Sequence, residues 1–208
     1  MPRPRFEKLS DGRRERIMEA AAREFAAHGF HNASLNQILQ EADISKGAAY
    51  YYFDDKADLF ATTVTFYARD ILNATPDALE KVDGETFWPT IFALYEAQMA
   101  AYEDRPWALG VIKAAARLSP QEFASHATLQ ALLARVEAQL AAIIRTGQEA
   151  GAIRRDLPQD LLMRLFMAVD DAMDQWLLEN WDSSQMPALH ETVRKTLRGL
   201  AQLMAPVE

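Results

Sequence analysis

The chain has 208 residues, of which half are hydrophobic and a quarter are charged, a composition typical of a folded globular protein with one or two domains. It has no cysteine, which excludes disulfides, a thiol nucleophile and zinc sites built on thiolates. No uninterrupted apolar run reaches the length of about 18 residues that a membrane span needs, and the N-terminus lacks the apolar stretch of a signal peptide. We therefore expect a cytoplasmic protein.

The net charge of -8 argues against nucleic-acid binding, but the charge is distributed unevenly along the chain. Residues 1–52 carry eight Lys or Arg and seven Asp or Glu, whereas residues 53–208 carry 14 and 23. A local basic surface, rather than the average charge, attracts phosphates. The N-terminal region therefore remains a candidate for binding DNA.

Good helix formers dominate the chain and no alternating stretch predicts a strand, so we expect an all-α fold of about nine helices. The first helix is predicted over residues 11–28 and ends at Gly29. The second begins with the capping box Ser34–Gln37, and the third covers residues 46–53 behind Ser45 as N-cap. Three short helices with a tight joint between the second and third form a helix-turn-helix module.

Six further helices are predicted over residues 56–79, 86–102, 106–118, 119–150, 158–181 and 187–204. The segment 119–150 is either one helix or two helices that meet near His126. It begins with a second capping box, from Ser119 to Glu122.

One set of positions agrees in order and spacing with a known family: Ile17-Met18, Ala20-Ala21, Phe25, Gly29-Phe30, Ser34, Ile38, Ile44-Ser45-Lys46-Gly47, Tyr50-Tyr51-Tyr52-Phe53, Lys56 and Leu59. Through them the segment from about Arg13 to Phe60 resembles the TetR family of bacterial transcriptional regulators. The rest of the chain is similar to that family only in architecture, with two long terminal helices. At Ala49 the family usually has a bulky aliphatic residue. The smaller side chain weakens the anchoring of the third helix, unless neighbouring tyrosines fill the space.

The resemblance implies a helix-turn-helix DNA-binding domain over residues 1–55 and a ligand-binding and dimerisation domain over residues 56–208. It implies a homodimeric regulator, and we expect a repressor that a small-molecule effector releases from a palindromic operator in double-stranded DNA. Two modules on a two-fold axis read a palindrome whose half-sites lie about 34–36 Å apart, or a multiple of that distance. No cofactor and no metal are expected.

The residues expected at the DNA are Ser34, Ser45, Lys46, Gly47, Ala48, Tyr50, Tyr51, Tyr52 and Lys56. A cation at a helix N-terminus is unfavourable, and a phosphate partner would explain both Lys46 and Lys56. Small residues let the third helix approach the floor of the groove, and Ala48 suits a thymine methyl group. Ser34 either caps its helix, binds a phosphate, or does both.

The resemblance places Tyr50 and Tyr52 at phosphates and Tyr51 at a base edge. In the alternative interpretation, two of the three tyrosines simply pack in the core. Arg3 and Arg5 are kept extended by prolines, and they either enter a minor groove or form a tail without contacts.

The two terminal helices carry apolar stripes that we expect at the dimer interface: Leu161, Leu165, Val169 and Trp176 on one helix, and Leu189, Val193, Leu197 and Leu200 on the other. Two such helices from each chain would form a four-helix bundle. The alternative is that both stripes pack only within the chain.

The effector pocket is expected among Trp88, Phe92, Tyr95, Met99, Tyr102, Trp107, Phe166, Met167, Asp170, Met173 and Asp174. Aromatic and methionine side chains form adaptable apolar cavities, although such stripes also belong to ordinary cores. Asp170 and Asp174 lie one helical turn apart and could select a cationic ligand. Alternatively they are exposed, or paired with an arginine such as Arg117 or Arg164.

Two other classes of protein were weighed. The four histidines are scattered, and no glycine-rich phosphate loop or nucleophile elbow occurs, so an enzyme is not expected. A helical protein-interaction adaptor would keep the fold without binding a specific DNA sequence. Such an adaptor would not need Lys46, Gly47 and Lys56 together.

Overall fold

The computed structural model describes residues 4–207, apart from the side chains at positions 70, 71, 74, 120 and 183. The described part of the chain is 80% helical and contains no β-strand. The predicted all-α fold is therefore confirmed.

The described part contains eleven α-helices: α1 Pro4–Glu7, α2 Asp11–Asn32, α3 Leu35–Glu41, α4 Lys46–Tyr52, α5 Lys56–Leu79, α6 Phe87–Glu103, α7 Pro106–Ala116, α8 Pro120–Ser125, α9 Ala127–Glu149, α10 Gln159–Glu179 and α11 Met186–Met204. A 3-10 turn, Ser183–Gln185, leads into α11.

Two differences raise the helix count above the nine expected. The first is α1, a single turn whose Phe6 is almost fully buried. The second is the break between α8 and α9, where His126 is extended and its N–H donates to the carbonyl of Phe123. An extended residue ends the helical hydrogen-bond ladder, so the interrupted alternative for residues 119–150 is the one observed.

Helix ends follow the predicted caps, with one exception. The Ser45 hydroxyl accepts the N–H of Ala48 at 3.2 Å, and Ser119 and Glu122 form a complete capping box. Ser34 accepts the N–H of Gln37 at 3.3 Å, but its own N–H donates to Glu24 rather than to the Gln37 side chain. Only half of that predicted box therefore forms.

Gly29 is predicted to end the first helix, but α2 continues beyond it to Asn32 and is only kinked at Gly29. Its φ of 69° and ψ of 176° are open to glycine and strained for other residues. The last few residues of α2 follow this kink and lead directly to Ser34.

Contacts divide the chain into two units. The N-terminal unit consists of residues 4–70 and 107–134, and its core contains Phe25, Ile38, Phe53 and Phe60. The C-terminal unit consists of residues 71–106 and 135–207, and its core contains Phe87, Ile144, Leu162 and Leu200. The predicted boundary between a DNA-binding domain (residues 1–55) and a ligand-binding domain (residues 56–208) concerns function rather than contacts, and it stays a prediction.

Within the N-terminal unit, α7 lies close against α2. A Cβ atom added at Gly110 would stand 2.7 Å from the Cβ of Ala26, which is closer than two carbon atoms can approach. The segment 107–134 is therefore packed tightly onto the first long helix.

Helix α9 is long and apolar enough to cross a membrane by length and composition alone. Charged residues, among them Arg135 and Glu137, interrupt this helix, so the statement that no uninterrupted apolar run reaches about 18 residues holds. One such helix is weak evidence for a membrane, since helices of other proteins meet the same criterion.

The turn between α3 and α4 contains a strained residue. Asp43 has a φ of 52°, in the left-handed region that side chains with a Cβ rarely adopt. We expect Asp43→Val to lower the free energy of unfolding by about 1–2 kcal/mol, because a branched Cβ is still less tolerated there. Asp43→Gly should stay within about 0.5 kcal/mol of wild type, since the relief of strain is offset by unfolded-chain entropy. Urea unfolding measures both, and equal effects would contradict the strain.

Candidate nucleic-acid interface

Helices α3 and α4 form the predicted helix-turn-helix, with one packed side and one open side. Ala49 and Phe53 face inward and are 4% and 3% exposed. Lys46, Tyr50 and Tyr51 lie on the outer side, where the two tyrosines are 45% and 48% exposed. Lys46 makes no hydrogen bond or ion pair with any other described residue, so its charge is available to an outside partner.

The remaining positions of α4 fit a close approach by a large partner. A Cβ atom at Gly47 would meet only the Ser45 hydroxyl, at 3.9 Å, so the space beside it is open. Ala48 is half-buried. Tyr52 is half-buried as well, with its ring 6.3 Å from that of Phe6. Of the three tyrosines, Tyr50 and Tyr51 are exposed and Tyr52 packs.

A buried carboxylate holds the start of α3. Glu24 is 8% exposed, and its Oε1 accepts the backbone N–H of Ser34 at 2.7 Å. A negative charge at a helix N-terminus is favourable. Glu24 was not among the predicted site residues, although its spacing of seven residues from Ile17 places it on the apolar face of α2.

Lys56 has partners inside the chain. Its Nζ donates to the carbonyls of His31 and Ala33 at 3.0 and 3.1 Å, and it lies 5.1 Å from the centre of the Phe30 ring. These contacts explain a cation at the start of α5 without a phosphate. An ammonium has three N–H donors, so one remains for another acceptor. Contact between Lys56 and DNA stays a prediction.

The short helix α1 lies against α4. The Phe6 ring is 4.9 Å from the Phe53 ring, and the Arg5 guanidinium lies 4.2 Å from the centre of the Tyr51 ring. Arg5 is thus held against α4 rather than in an extended tail. Arg3 lies outside the described residues.

A polar hollow of about 410 Å³ lies beside the turn. Arg13 and Arg16 from the start of α2 line it together with Ala42 and Asp43. The sequence analysis named neither arginine as a site residue. The available signal was the six basic residues among the first 16.

Comparison with known proteins assigns this arrangement to a family. Residues 17–63 match the model described as bacterial regulatory proteins, tetR family. The HTH-type transcriptional regulator YdgC of Bacillus subtilis is 39% identical over 57 residues, 27% of this chain and 29% of that protein. An HTH-type transcriptional repressor of Streptomyces coelicolor is 35% identical over 69 residues, 33% of this chain and 36% of that protein. Residues 17–63 of the chain therefore belong to the TetR family. The alignments span only about a third of these curated relatives.

Solved structures match over nearly the whole chain. FadR of Bacillus halodurans superposes with a TM-score of 0.70 and 19% identity, covering 89% of this chain and 98% of that one. PfmR of Thermus thermophilus gives 0.63 and 24%, with coverage of 89% and 95%. FadR of Bacillus subtilis, in complex with stearoyl-CoA, gives 0.67 and 18%, with coverage of 85% and 95%. At these identities the likeness establishes the TetR-type fold alone.

One partly buried polar contact lies in the C-terminal unit. The Tyr95 hydroxyl donates to Asp170 Oδ1 at 2.6 Å, in a partly buried setting. Burial raises the pKa of Tyr95 well above its usual value, and the negative charges of Asp170 and Asp174 add to the rise. Burial likewise raises the pKa of Tyr102, whose hydroxyl accepts a hydrogen bond from Gln98.

The structure brings most of the predicted effector residues into the C-terminal unit. The buried ones are Met99, Tyr102, Phe166 and Met173, and the half-buried ones are Trp88, Phe92, Tyr95, Asp170 and Asp174. Met167 is exposed. Trp107 lies apart in the N-terminal unit, where the Arg23 guanidinium stands 3.7 Å from its ring centre.

The C-terminal unit also has an open groove of about 1020 Å³ between the later halves of α5 and α9. Its walls include Leu72, Leu79, Val82, Ala138, Ala142 and Ile143. None of these residues was named as a ligand contact. No group of acidic, histidine or cysteine residues within the described part of the chain has the arrangement of a metal site.

The predicted dimer residues divide into two sets. Leu161 and Trp176 are 40% and 37% exposed, and Leu165 and Val169 are half-buried. The four residues predicted on α11 are 2–4% exposed and pack within the chain: Leu189, Val193, Leu197 and Leu200. They offer almost no surface to a second copy.

The hydrogen-bonded tyrosines Tyr95 and Tyr102 predict the behaviour of this protein in alkali. Their folded-state pKa values are raised, so protonated Tyr95 and Tyr102 stabilise the fold below pH 10. This contribution is lost as the pH rises further, because the unfolded chain then ionises first. In a titration followed by tyrosinate absorbance, we expect two of the tyrosines to ionise only when the protein unfolds. The double variant Tyr95→Phe, Tyr102→Phe should lack this delayed step. A complete gain of absorbance before unfolding would contradict the assignment.

Proposed function

We propose that this chain is a homodimeric, ligand-responsive transcriptional regulator, a repressor that leaves a palindromic operator when a small molecule binds. The observation that carries the proposal is the open face of α4, where Lys46, Tyr50 and Tyr51 are exposed opposite buried Ala49. A short helix with small and polar residues on one side suits the major groove. The naming of a relative in Streptomyces coelicolor as a repressor supports the direction of regulation.

In this proposal, Ser34, Ser45 and Lys46 bind phosphates and orient the module on the duplex. Gly47 and Ala48 let α4 approach the bases, and Tyr51 reads one of them. The capping hydroxyls at the starts of α3 and α4 support the phosphate roles, because backbone N–H groups at a helix start attract anions. Tyr50, Tyr52 and Lys56 complete the predicted contact set. A cytoplasmic location follows from this function.

Reversal of the Lys46 charge tests DNA binding. Lys46→Glu should weaken binding to every duplex by about tenfold or more, and Lys46→Ala should reduce the salt slope by about one phosphate contact. Fluorescence anisotropy against duplexes that tile the upstream region of the gene, over a series of salt concentrations, measures both effects.

Lys81 provides the matched control, because it is an exposed lysine in the C-terminal unit. Lys81→Glu makes the same change in charge and should leave DNA binding nearly unchanged. If the wild type prefers no tile and Lys46→Glu binds as well as wild type, the protein-interaction adaptor becomes the better interpretation.

Helix α10 supports a dimer because its apolar surface is wider than the part that its own chain covers. Leu162, Phe166, Met173 and Leu177 are buried in the chain. On the adjoining face, apolar residues recur every three or four positions and remain partly or fully exposed: Leu161, Leu165, Ala168, Ala172 and Trp176. The remaining face is polar and carries Arg164, Asp171 and Gln175, so only the adjoining apolar face needs further cover. A second copy supplies that cover in this proposal, with Gly199 and Leu203 of α11 at its edge.

A charge in the middle of that exposed face should separate the copies. We expect Ala172→Arg to raise the dimer dissociation constant by about a hundredfold or more, because an unpaired buried charge costs several kcal/mol. Sedimentation equilibrium measures the mass. Met167→Arg is the control, since Met167 is exposed on the same helix outside the row of apolar residues. A fully dimeric Ala172→Arg protein would contradict this interface.

The effector is proposed to bind in the C-terminal unit. The partly buried Tyr95–Asp170 pair lies on helices that also carry Met99, Phe166 and Met173, a mixture of aromatic, thioether and acidic side chains suited to an organic ligand. The Bacillus subtilis FadR complex with stearoyl-CoA supports a small-molecule effector in a protein of this fold. A cationic effector remains one alternative, through Asp170 and Asp174.

A further inference from the structure

We propose that Arg5 is a base-reading residue of this regulator. Tyr51 holds it against α4, and it is specific for a guanine in each half-site. The inference rests on the proposed DNA-binding function. It adds a residue from outside the helix-turn-helix, and it replaces the minor-groove role with a role in the major groove beside α4.

The first step is the anchoring of α1. Phe6 is 2% exposed, and its ring lies 4.9 Å from Phe53 and 6.3 Å from Tyr52. At the other end of this short helix, Arg14 Nη1 donates to the Glu7 carbonyl at 3.3 Å. The turn that carries Arg5 is therefore fixed to the N-terminal unit by a buried ring and by a capped carbonyl.

The second step is the position of the Arg5 guanidinium. It lies 4.2 Å from the centre of the Tyr51 ring, within the range of a cation–π contact. Tyr51 is 48% exposed on the open face of α4, and Arg5 is exposed too. The stacked pair thus stands on the same surface as Tyr50 and Lys46.

The third step concerns the types of side chain that α4 lacks. Its residues, Lys46 to Tyr52, include no Arg, Asn or Gln. Arg, Asn and Gln pair with two atoms of one base edge through a planar group, whereas Lys46, which can also bind guanine, lacks such a fork and is proposed to bind a phosphate. Arg5 supplies the missing fork of donors, which matches O6 and N7 of guanine. Stacking on Tyr51 limits the rotamers of Arg5 before binding, so less side-chain freedom is lost in the complex.

Selection from random duplexes provides the test. Wild-type protein first defines the half-site, and the same selection is then run with Arg5→Ala, Arg5→Lys and Lys8→Ala. We expect Arg5→Ala to lose preference for one guanine per half-site by about 5- to 150-fold, the range for one two-point base contact. Arg5→Lys should keep the salt slope and still lose most of that preference, because an ammonium cannot present a planar fork. Lys8→Ala removes a nearby exposed charge and should leave all base preferences unchanged.

Tyr51→Leu tests the positioning role separately. It should weaken the same guanine preference as Arg5→Ala, and adding Arg5→Ala to it should change that guanine preference little further, since both changes break one unit. Loss of the base contact proposed for Tyr51 itself should appear at a different position of the half-site.

Two results would overturn the inference alone. The first is an Arg5→Ala protein that binds all sequences equally weaker, as expected of a phosphate contact. The second is an Arg5→Ala protein with unchanged preferences. A wild-type protein that selects no motif would instead overturn the proposed function, and this inference with it.

Discussion

Two charged side chains form hydrogen bonds with backbone groups at the junction where α2 ends and where α3 and α5 begin. Glu24 accepts the N–H of Ser34, and Lys56 donates to the carbonyls of His31 and Ala33. Helix ends leave backbone groups unpaired, and each such group costs about 1–3 kcal/mol when it is buried without a partner. Because each charge meets the helix end of opposite polarity, three helices are held in one arrangement. The placement of α4, and hence of the whole candidate interface, depends on this junction.

One face of α4 stays exposed because a few residues are enough to hold the opposite face in the core. Ala49 and Phe53 face the core, and Phe6 of α1 packs beside Phe53. The small side chain at Ala49 therefore does not leave α4 unsupported, since a ring from outside the helix-turn-helix contacts its end. The same packing places Arg5 against Tyr51. Helix α1 therefore both supports α4 and adds Arg5 to its exposed face.

Helix periodicity allowed much of this to be predicted and limited the rest. The caps at Ser34, Ser45 and Ser119 depend on residues three positions away, and the sequence is sufficient for such local bonds. The apolar stripes of α10 and α11 were also visible. What each stripe packs against could not be predicted, because a stripe shows which residues share a face and not which neighbour covers it. The α11 stripe is covered by the chain itself, whereas α10 keeps an adjoining apolar face exposed.

The sequence by itself determined the all-α class, the helix-turn-helix and its capping residues, and the resemblance of the N-terminal segment to the TetR family, because these depend on spacing within a few turns of helix. Only the tertiary structure decided the partners of Glu24, Lys56 and Arg5, since each lies between 10 and 46 residues from its partner along the chain. It also decided that Trp107 packs in the N-terminal unit, apart from the other predicted effector residues. Such contacts depend on how whole helices pack against one another, which local spacing does not determine.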